Sequence, residues 1–363
     1  MHATPELEEA DRLMTICNSC RYCEGLCAVF PAMEERSIFD DGDLNYLANL
    51  CHNCGACYDA CQFSPPHEFG VNIPQTLAKV RVASYRSYAW PAVFRPMFDR
   101  NGLAISIVAA LSVAVFVLGF VAAHDPSALF ATYAGRGAFY RLMPHDAMAW
   151  LFIIETLYVL VAFVMGFVNF WRDQGAHPTG PVGAQALWQA IKDAASLKYL
   201  DGGGASCDDD EIVDHRKLYH HLTFWGFVLC FGSTLTATGY HYLLGLEAPY
   251  PWWDLPVLLG ALGGVGLLIG PVGLLRAKLR RNPTLRDPAS FGMETAFIAM
   301  LFLTGLTGLL LLALRETPAM GLSLAVHMGV VFALFLTMPY GKFVHGLYRF
   351  GALVRYAIER KAS

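Results

Sequence analysis

Cys17, Cys20, Cys23 and Cys27 are spaced C-x2-C-x2-C-x3-C, and Cys51, Cys54, Cys57 and Cys61 repeat that spacing 34 residues later at all four positions. Thiolates are soft ligands for iron. Paired runs of this spacing hold [4Fe–4S] clusters, each cluster taking three thiolates from its own run and the fourth from the other. Both runs must lie in one chain for that crossing, and the duplication supplies them. Cys17, Cys20, Cys23 and Cys61 are thus expected around one cluster, and Cys51, Cys54, Cys57 and Cys27 around the other.

Zinc is the weaker reading, because zinc sites use two C-x2-C pairs or a mixture of cysteine and histidine. Disulfides are weaker still: the N-terminus is polar and acidic and reads as lacking a cleavable signal peptide. One departure from the pattern stands out. The proline that often follows the fourth cysteine is Ala28 in one run and Gln62 in the other, while Pro31 and Pro65, four residues beyond that cysteine, are placed to end the turn. Loop geometry is affected by this, not the ligand set.

A second group of chemically capable residues lies far along the chain. His220, His221, His241, His327 and His345 all fall within or at the ends of strongly apolar runs, as does Glu155. Ionisable side chains are costly in a bilayer and there usually face a cofactor or a cavity. Paired histidines at two depths suit haem b, one or two groups, with both axial positions filled and therefore limited to electron transfer. No Cys-x-x-Cys-His occurs in these runs, so covalent haem attachment is not expected. Interfacial histidines bonded to headgroups or carbonyls are the bland alternative. His124 and His145 read as surface residues. Glu155 reads equally as a carboxyl kept neutral by burial and as a proton-accepting or quinone-binding group.

The elements that must carry these residues follow from composition. Only 15% of residues are charged and 55% are hydrophobic, and the apolar residues concentrate after the first hundred. The expected fold is mostly α: a small ferredoxin-like head with two [4Fe–4S] clusters, then a six-helix transmembrane bundle. The expected boundaries are 1–80 for the head, 81–100 for a basic juxtamembrane linker, 101–345 for the haem b membrane domain and 346–363 for a basic tail. Spans of about 20 apolar residues are needed to cross a bilayer. Six runs qualify: Gly102–Ala123, Ala147–Phe170, Tyr219–Leu244, Leu255–Leu275, Met293–Leu314 and Met320–Phe343.

Lysine and arginine crowd one side of these spans. Lys79, Arg81, Arg86, Arg95 and Arg100 precede the first, five more basic residues lie between the second and third, and a further group lies in each later segment on that side. The opposite face carries Arg136, Arg141 and Arg315. By the positive-inside rule both termini and the iron–sulfur head are cytoplasmic, in a multi-pass protein of a bacterial inner membrane. No basic, aromatic-interleaved patch suggests nucleic acid. Cys230, inside the third span, reads as a packing residue, and Cys207 as a thiol in the loop Gly202–Glu211. Gly260, Gly263, Gly264, Gly266 and Gly270 lie in an apolar span with no preceding strand, so close helix packing is expected rather than a nucleotide fingerprint.

Depth and phase pair the histidines. The third and sixth spans run in opposite directions, so His220 or His221 shares a level with His345, and His241 with His327. Eighteen residues separate His327 from His345, five turns and about 27 Å on one helix face. His220 is roughly 60° out of phase with His241, whereas His221 is nearly opposite it, which prefers His220 and leaves His221 as runner-up.

The chain resembles the tricarballylate/citrate utilization protein B family. The resemblance rests on Cys51-His52-Asn53-Cys54-Gly55-Ala56-Cys57-Tyr58-Asp59-Ala60-Cys61, on His220-His221-Leu222-Thr223-Phe224-Trp225-Gly226-Phe227, on Glu316-Thr317-Pro318-Ala319-Met320-Gly321 and on the ending Pro339–Phe350. The histidine-bearing spans also look like a distant version of the nitrate reductase gamma-subunit haem b domain. What the family implies is a cytoplasmic FAD-dependent dehydrogenase as partner, acting on a tricarboxylic acid, and quinone as acceptor. The expected function is reoxidation of that partner through two clusters and haem b to the quinone pool, without substrate chemistry of the chain's own. A heterodisulfide-reductase-like or other respiratory iron–sulfur/cytochrome b subunit is the alternative, although adjacent cysteine pairs are missing. A zinc-binding scaffold is the non-redox one.

Overall fold

A computed structural model describes residues 2–174, 182–200 and 215–362. The loop thiol Cys207 and its acidic surroundings lie outside these residues. Among the described residues the chain is helical, with no strand.

The head begins with α1 (Pro5–Cys20), which Thr4 caps by accepting from the Leu7 N–H at 3.3 Å, with Pro5 in the first turn. After α2 (Val29–Glu34) comes α3 (Asp41–Leu50), capped by Asp40 on the Asp43 N–H at 2.7 Å. The short α4 (Ala56–Asp59) leads to α5 (Ile73–Tyr88), capped by Asn72 on the Gln75 N–H. Each cap satisfies a backbone donor that a helix start would otherwise leave open.

Six helices are long and apolar enough to cross a membrane. They are α6 (Asn101–Ala123) and α7 (His145–Asp173), then, beyond the short helix α8 (Ala184–Ala195), α9 (Arg216–Leu244), α10 (Leu255–Arg280), α11 (Phe291–Leu314) and α12 (Met320–Thr337). Their outward faces carry large aliphatic side chains such as Leu111, Val115, Ile154 and Leu262, as expected where lipid replaces water. The six expected spans are present, the first five with ends within about five residues of expectation.

Two boundaries differ from expectation. Residues 81–88, read as linker, continue α5. The stretch read as a basic tail is α13 (Val344–Ala362), most of it buried. Tyr348, Ala352 and Leu353 of α13 enter one core with Leu13, Leu44, Leu47, Leu77 and Tyr85 of the head and Phe170 of α7. Arg36 donates to Asp43 and to Glu359, both at 2.6 Å, and Tyr46 donates to Glu359 at 3.0 Å. The last helix is amphipathic, and its basic residues mask an apolar face. Head and bundle therefore share a core.

The sixth span is also shorter than its apolar run. α12 stops at Thr337, a tight turn carrying Pro339 follows, and α13 restarts at Val344. Proline removes a backbone donor and ends the helix there. His327 and His345 are thus on separate helices, and the five-turn phase relation does not connect them.

Candidate functional site: two cysteine cavities and a histidine pair

The duplicated cysteine runs form two duplicated loops. α1 ends on Cys20, and Arg21 turns left-handed at φ 54°; the position 34 residues on is Gly55, also left-handed at φ 100°. A side chain at Gly55 would be strained by that φ and would also meet Leu285 at 2.9 Å.

Each loop wraps a small cavity. Cys17, Cys20, Cys23 and Cys61 line the first; Cys27, Cys51, Cys54 and Cys57 line the second. Phe30 lies between and borders both. Backbone N–H groups point at sulfur in the same way in each: Phe63 on Cys61 and Asn53 on Cys51, both at 3.3 Å. Burial, reinforced by neighbouring cysteines, pushes the Cys17 thiol up to about 12 and Cys23 up to about 11. Four thiolates gather in such a place only around positive charge, which cluster iron supplies. Among the described residues no three His, Cys, Asp or Glu side chains converge as ligands of one ion. Thiolates on the corners of a four-iron cluster each bind a different iron, and need no common point.

The two cavities differ in position. The first opens at the tip of the head under Tyr22, which is 72% exposed. The second faces the bundle, where Arg216 at the start of α9 donates to the Asn53 carbonyl at 3.4 Å and Arg281 just beyond α10 donates to Asn53 Oδ1 at 3.1 Å. Arg349 donates to the Cys51 carbonyl at 2.7 Å.

One turn before Arg349 on α13 stands His345, whose ring centre is 6.2 Å from that of His220 with the ring planes crossed at 76°. An iron bound on both faces by nitrogens roughly 2 Å away holds two imidazole centres about 6 Å apart. The Lys342 carbonyl lies 2.6 Å from His345 Nδ1 and can accept its proton, which leaves Nε2 as the free ligand atom. Burial first, then the charges of Lys342 and Arg349, keep His345 well below the ordinary histidine range, hence neutral and able to bind metal. His220 Nδ1 is buried without a hydrogen-bond partner. The residues fit a haem iron here. His221 makes no ring contact with His345.

The outer pair is not brought together. His241 stacks on His145 at 3.5 Å and 16°, with Tyr140 and Tyr242 at its edges. His327 instead faces α11, with Nδ1 2.9 Å from Thr307 Oγ1. His145, read as a surface residue, has a side chain only 13% exposed. Face-to-face rings do not present nitrogens to an iron between them, so His145 and His241 as stacked do not form an axial pair. Glu155 is 5% exposed, lies beside the α12 backbone at Leu336, and has neither oxygen in hydrogen-bonding geometry.

Glycines set α9 in place. At Gly263 a methyl would come 2.7 Å from the Gly226 carbonyl and 2.8 Å from Cys230 Sγ, so the two backbones touch here with Cys230 as a packing residue. Gly270 and Gly273 meet Thr223 and Tyr219 in the same way. The sequence does not signal two features, the arginines around the second loop and His52, which is half-buried beside Tyr199. In sequence the basic residues there show only the orientation of the spans.

Residues 10–87 match the family described as the Citrate utilization protein B Fer4-like domain, and residues 96–363 match Citrate utilization protein B itself. Citrate utilization protein B of Escherichia coli is 48% identical over 356 residues, covering 97% of this chain and 92% of that protein. No solved structure matches. A Fer4-like head, six candidate spans and similarity along almost the whole chain lead to one conclusion: this protein belongs to the Citrate utilization protein B family.

Proposed function

We propose that the chain is a membrane-bound electron relay that reoxidises a cytoplasmic FAD-dependent dehydrogenase of citrate or tricarballylate type and delivers the electrons to quinone. One observation carries this reading. Two four-cysteine cavities lie in series from the tip of the head inward, and the inner one borders the bundle beside the His220–His345 pair. Cys17, Cys20, Cys23 and Cys61 would hold the outer cluster, Cys27, Cys51, Cys54 and Cys57 the inner one, and His220 and His345 a single haem b. Such groups supply one-electron steps, which divide the two-electron chemistry of a reduced flavin.

The protein's own part is placement and insulation. Phe30 separates the cavities, and α13 carries His345 and Arg349 so that the haem site and the second loop share one rigid support. Glu155 is the group we assign to accept a proton or hold quinone within the bilayer. The orientation that follows is a bacterial inner-membrane protein with both termini and the head in the cytoplasm.

The visible spectrum and metal content of detergent-purified protein test this. Haem Soret and α bands over broad iron–sulfur absorption, with about eight non-haem irons for two four-iron clusters, are expected. Zinc without those bands would leave a membrane scaffold.

A further inference from the structure

Four arginines from four parts of the fold converge on the loop Cys51–Gly55, on the side facing the membrane. Arg349 of α13 donates to the Cys51 carbonyl at 2.7 Å and to Asn49 at 3.4 Å. Arg81 of α5, 4% exposed, donates to the same Cys51 carbonyl and to Ala48 at 3.2 Å. Arg216 and Arg281 hold the two oxygens of Asn53. These bonds all go to neutral acceptors. Arg81 is buried and the other three are half-buried, and like charges held this close repel. A cluster ligated by four thiolates is anionic and would offset that repulsion.

The first cysteine group has no such surroundings. Its cavity is lined by Ile16, Tyr22, Phe30, Gln62, Phe63 and Val71 besides the cysteines, with no cationic side chain in that lining. Reduction adds negative charge, so nearby cations favour it, and cluster potentials follow local charge and hydrogen bonding.

We propose that this arginine collar gives the membrane-side cluster the higher reduction potential of the two, so that electrons run from the tip of the head toward the membrane, and that Arg349 tunes that cluster and the neighbouring haem site together. The proposal rests on the relay reading and adds the order of the two cluster potentials and the residues that set it. Arg349 is suited to the double role because it touches the Cys51 carbonyl and lies one helical turn from His345.

Redox titration of the full-length protein by electron paramagnetic resonance tests it, with signals assigned through Cys61→Ser for the tip cluster and Cys27→Ser for the membrane-side one. The membrane-side signal is expected to reduce at the higher potential. Arg349→Met should shift it and the haem downward and leave the tip signal in place, whereas Arg349→Lys should retain most of the original value. If Arg349→Met loses the cluster, Arg281→Gln, at the loop rim, is expected to lower the same potential. A tip cluster of equal or higher potential overturns the gradient while leaving the relay intact, as does an Arg349→Met shift that is absent or equal in both clusters. No iron–sulfur signal from the unmodified protein removes both.

Discussion

Single side chains decide which metal group survives. Cys27 sits in the first run but lines the cavity of the second, and Cys61 does the reverse. Cys27→Ser is therefore expected to abolish the signal that also disappears in Cys51→Ser, and Cys61→Ser the one lost in Cys17→Ser. Iron quantitation with paramagnetic resonance checks this; pairing of Cys27 with Cys17 in those losses would mean that the runs do not cross. The histidines divide in the same way. His345→Ala and His220→Ala should each empty the haem site, while His221→Ala and His327→Ala should leave the haem-to-protein ratio unchanged. Loss of haem in His327→Ala would restore an outer site that the ring contacts do not support.

The cysteine partition was legible in the sequence because metal spacing is local, a matter of residues two and three apart. The histidine pairing was only half legible. His220 with His345 follows from depth on antiparallel spans, but Pro339 ends α12 and breaks the phase argument for His327. His145 went unread as the neighbour of His241 because a residue at the start of α7 carries no periodic signal. The arginine collar was visible only as a charge count, since its four members are far apart in sequence and converge through the docking of α13, α5 and the ends of α9 and α10.

At the scale of elements, two contacts position the site. α9 lies directly on α10 through Gly226, Gly263 and Gly266, so Gly263→Val must push the helices apart. Overpacking of this kind typically costs about 1–3 kcal/mol. It should lower the melting temperature in detergent and, by tilting α9, the haem content. Gly119→Ala, with nothing within 4 Å of the added methyl, is the matched neutral change. The second contact is α13 against the head. Glu359 receives Arg36 at 2.6 Å, Arg355 at 2.9 Å and Tyr46 at 3.0 Å, with the Arg36 side chain 2% exposed. Removing one partner of a buried pair costs about 3–5 kcal/mol. Glu359→Ala is thus expected to free α13 to proteolysis and to weaken haem retention through His345; resistance equal to the unmodified protein would show that the apolar core alone holds the helix.

On the scale of the whole molecule, head and bundle act as one support for a chain of sites rather than as a soluble domain tethered by a linker. Composition made the division into head and six spans plain, because lipid demands long apolar runs and the cysteine head cannot supply them. It could not reveal that α5 and α13 join the two parts, since amphipathic helices near a membrane read as linker and tail. The central claim is that electrons pass from the head through the inner haem site to quinone. Its most direct test is stopped-flow mixing of fully reduced full-length protein in detergent with a soluble quinone analogue, following iron–sulfur and haem absorption separately. In the unmodified protein the clusters are expected to reoxidise together with or after the haem. In His345→Ala, with both clusters intact, they should remain reduced at least tenfold longer, and cluster oxidation at the unmodified rate in that variant would contradict the relay.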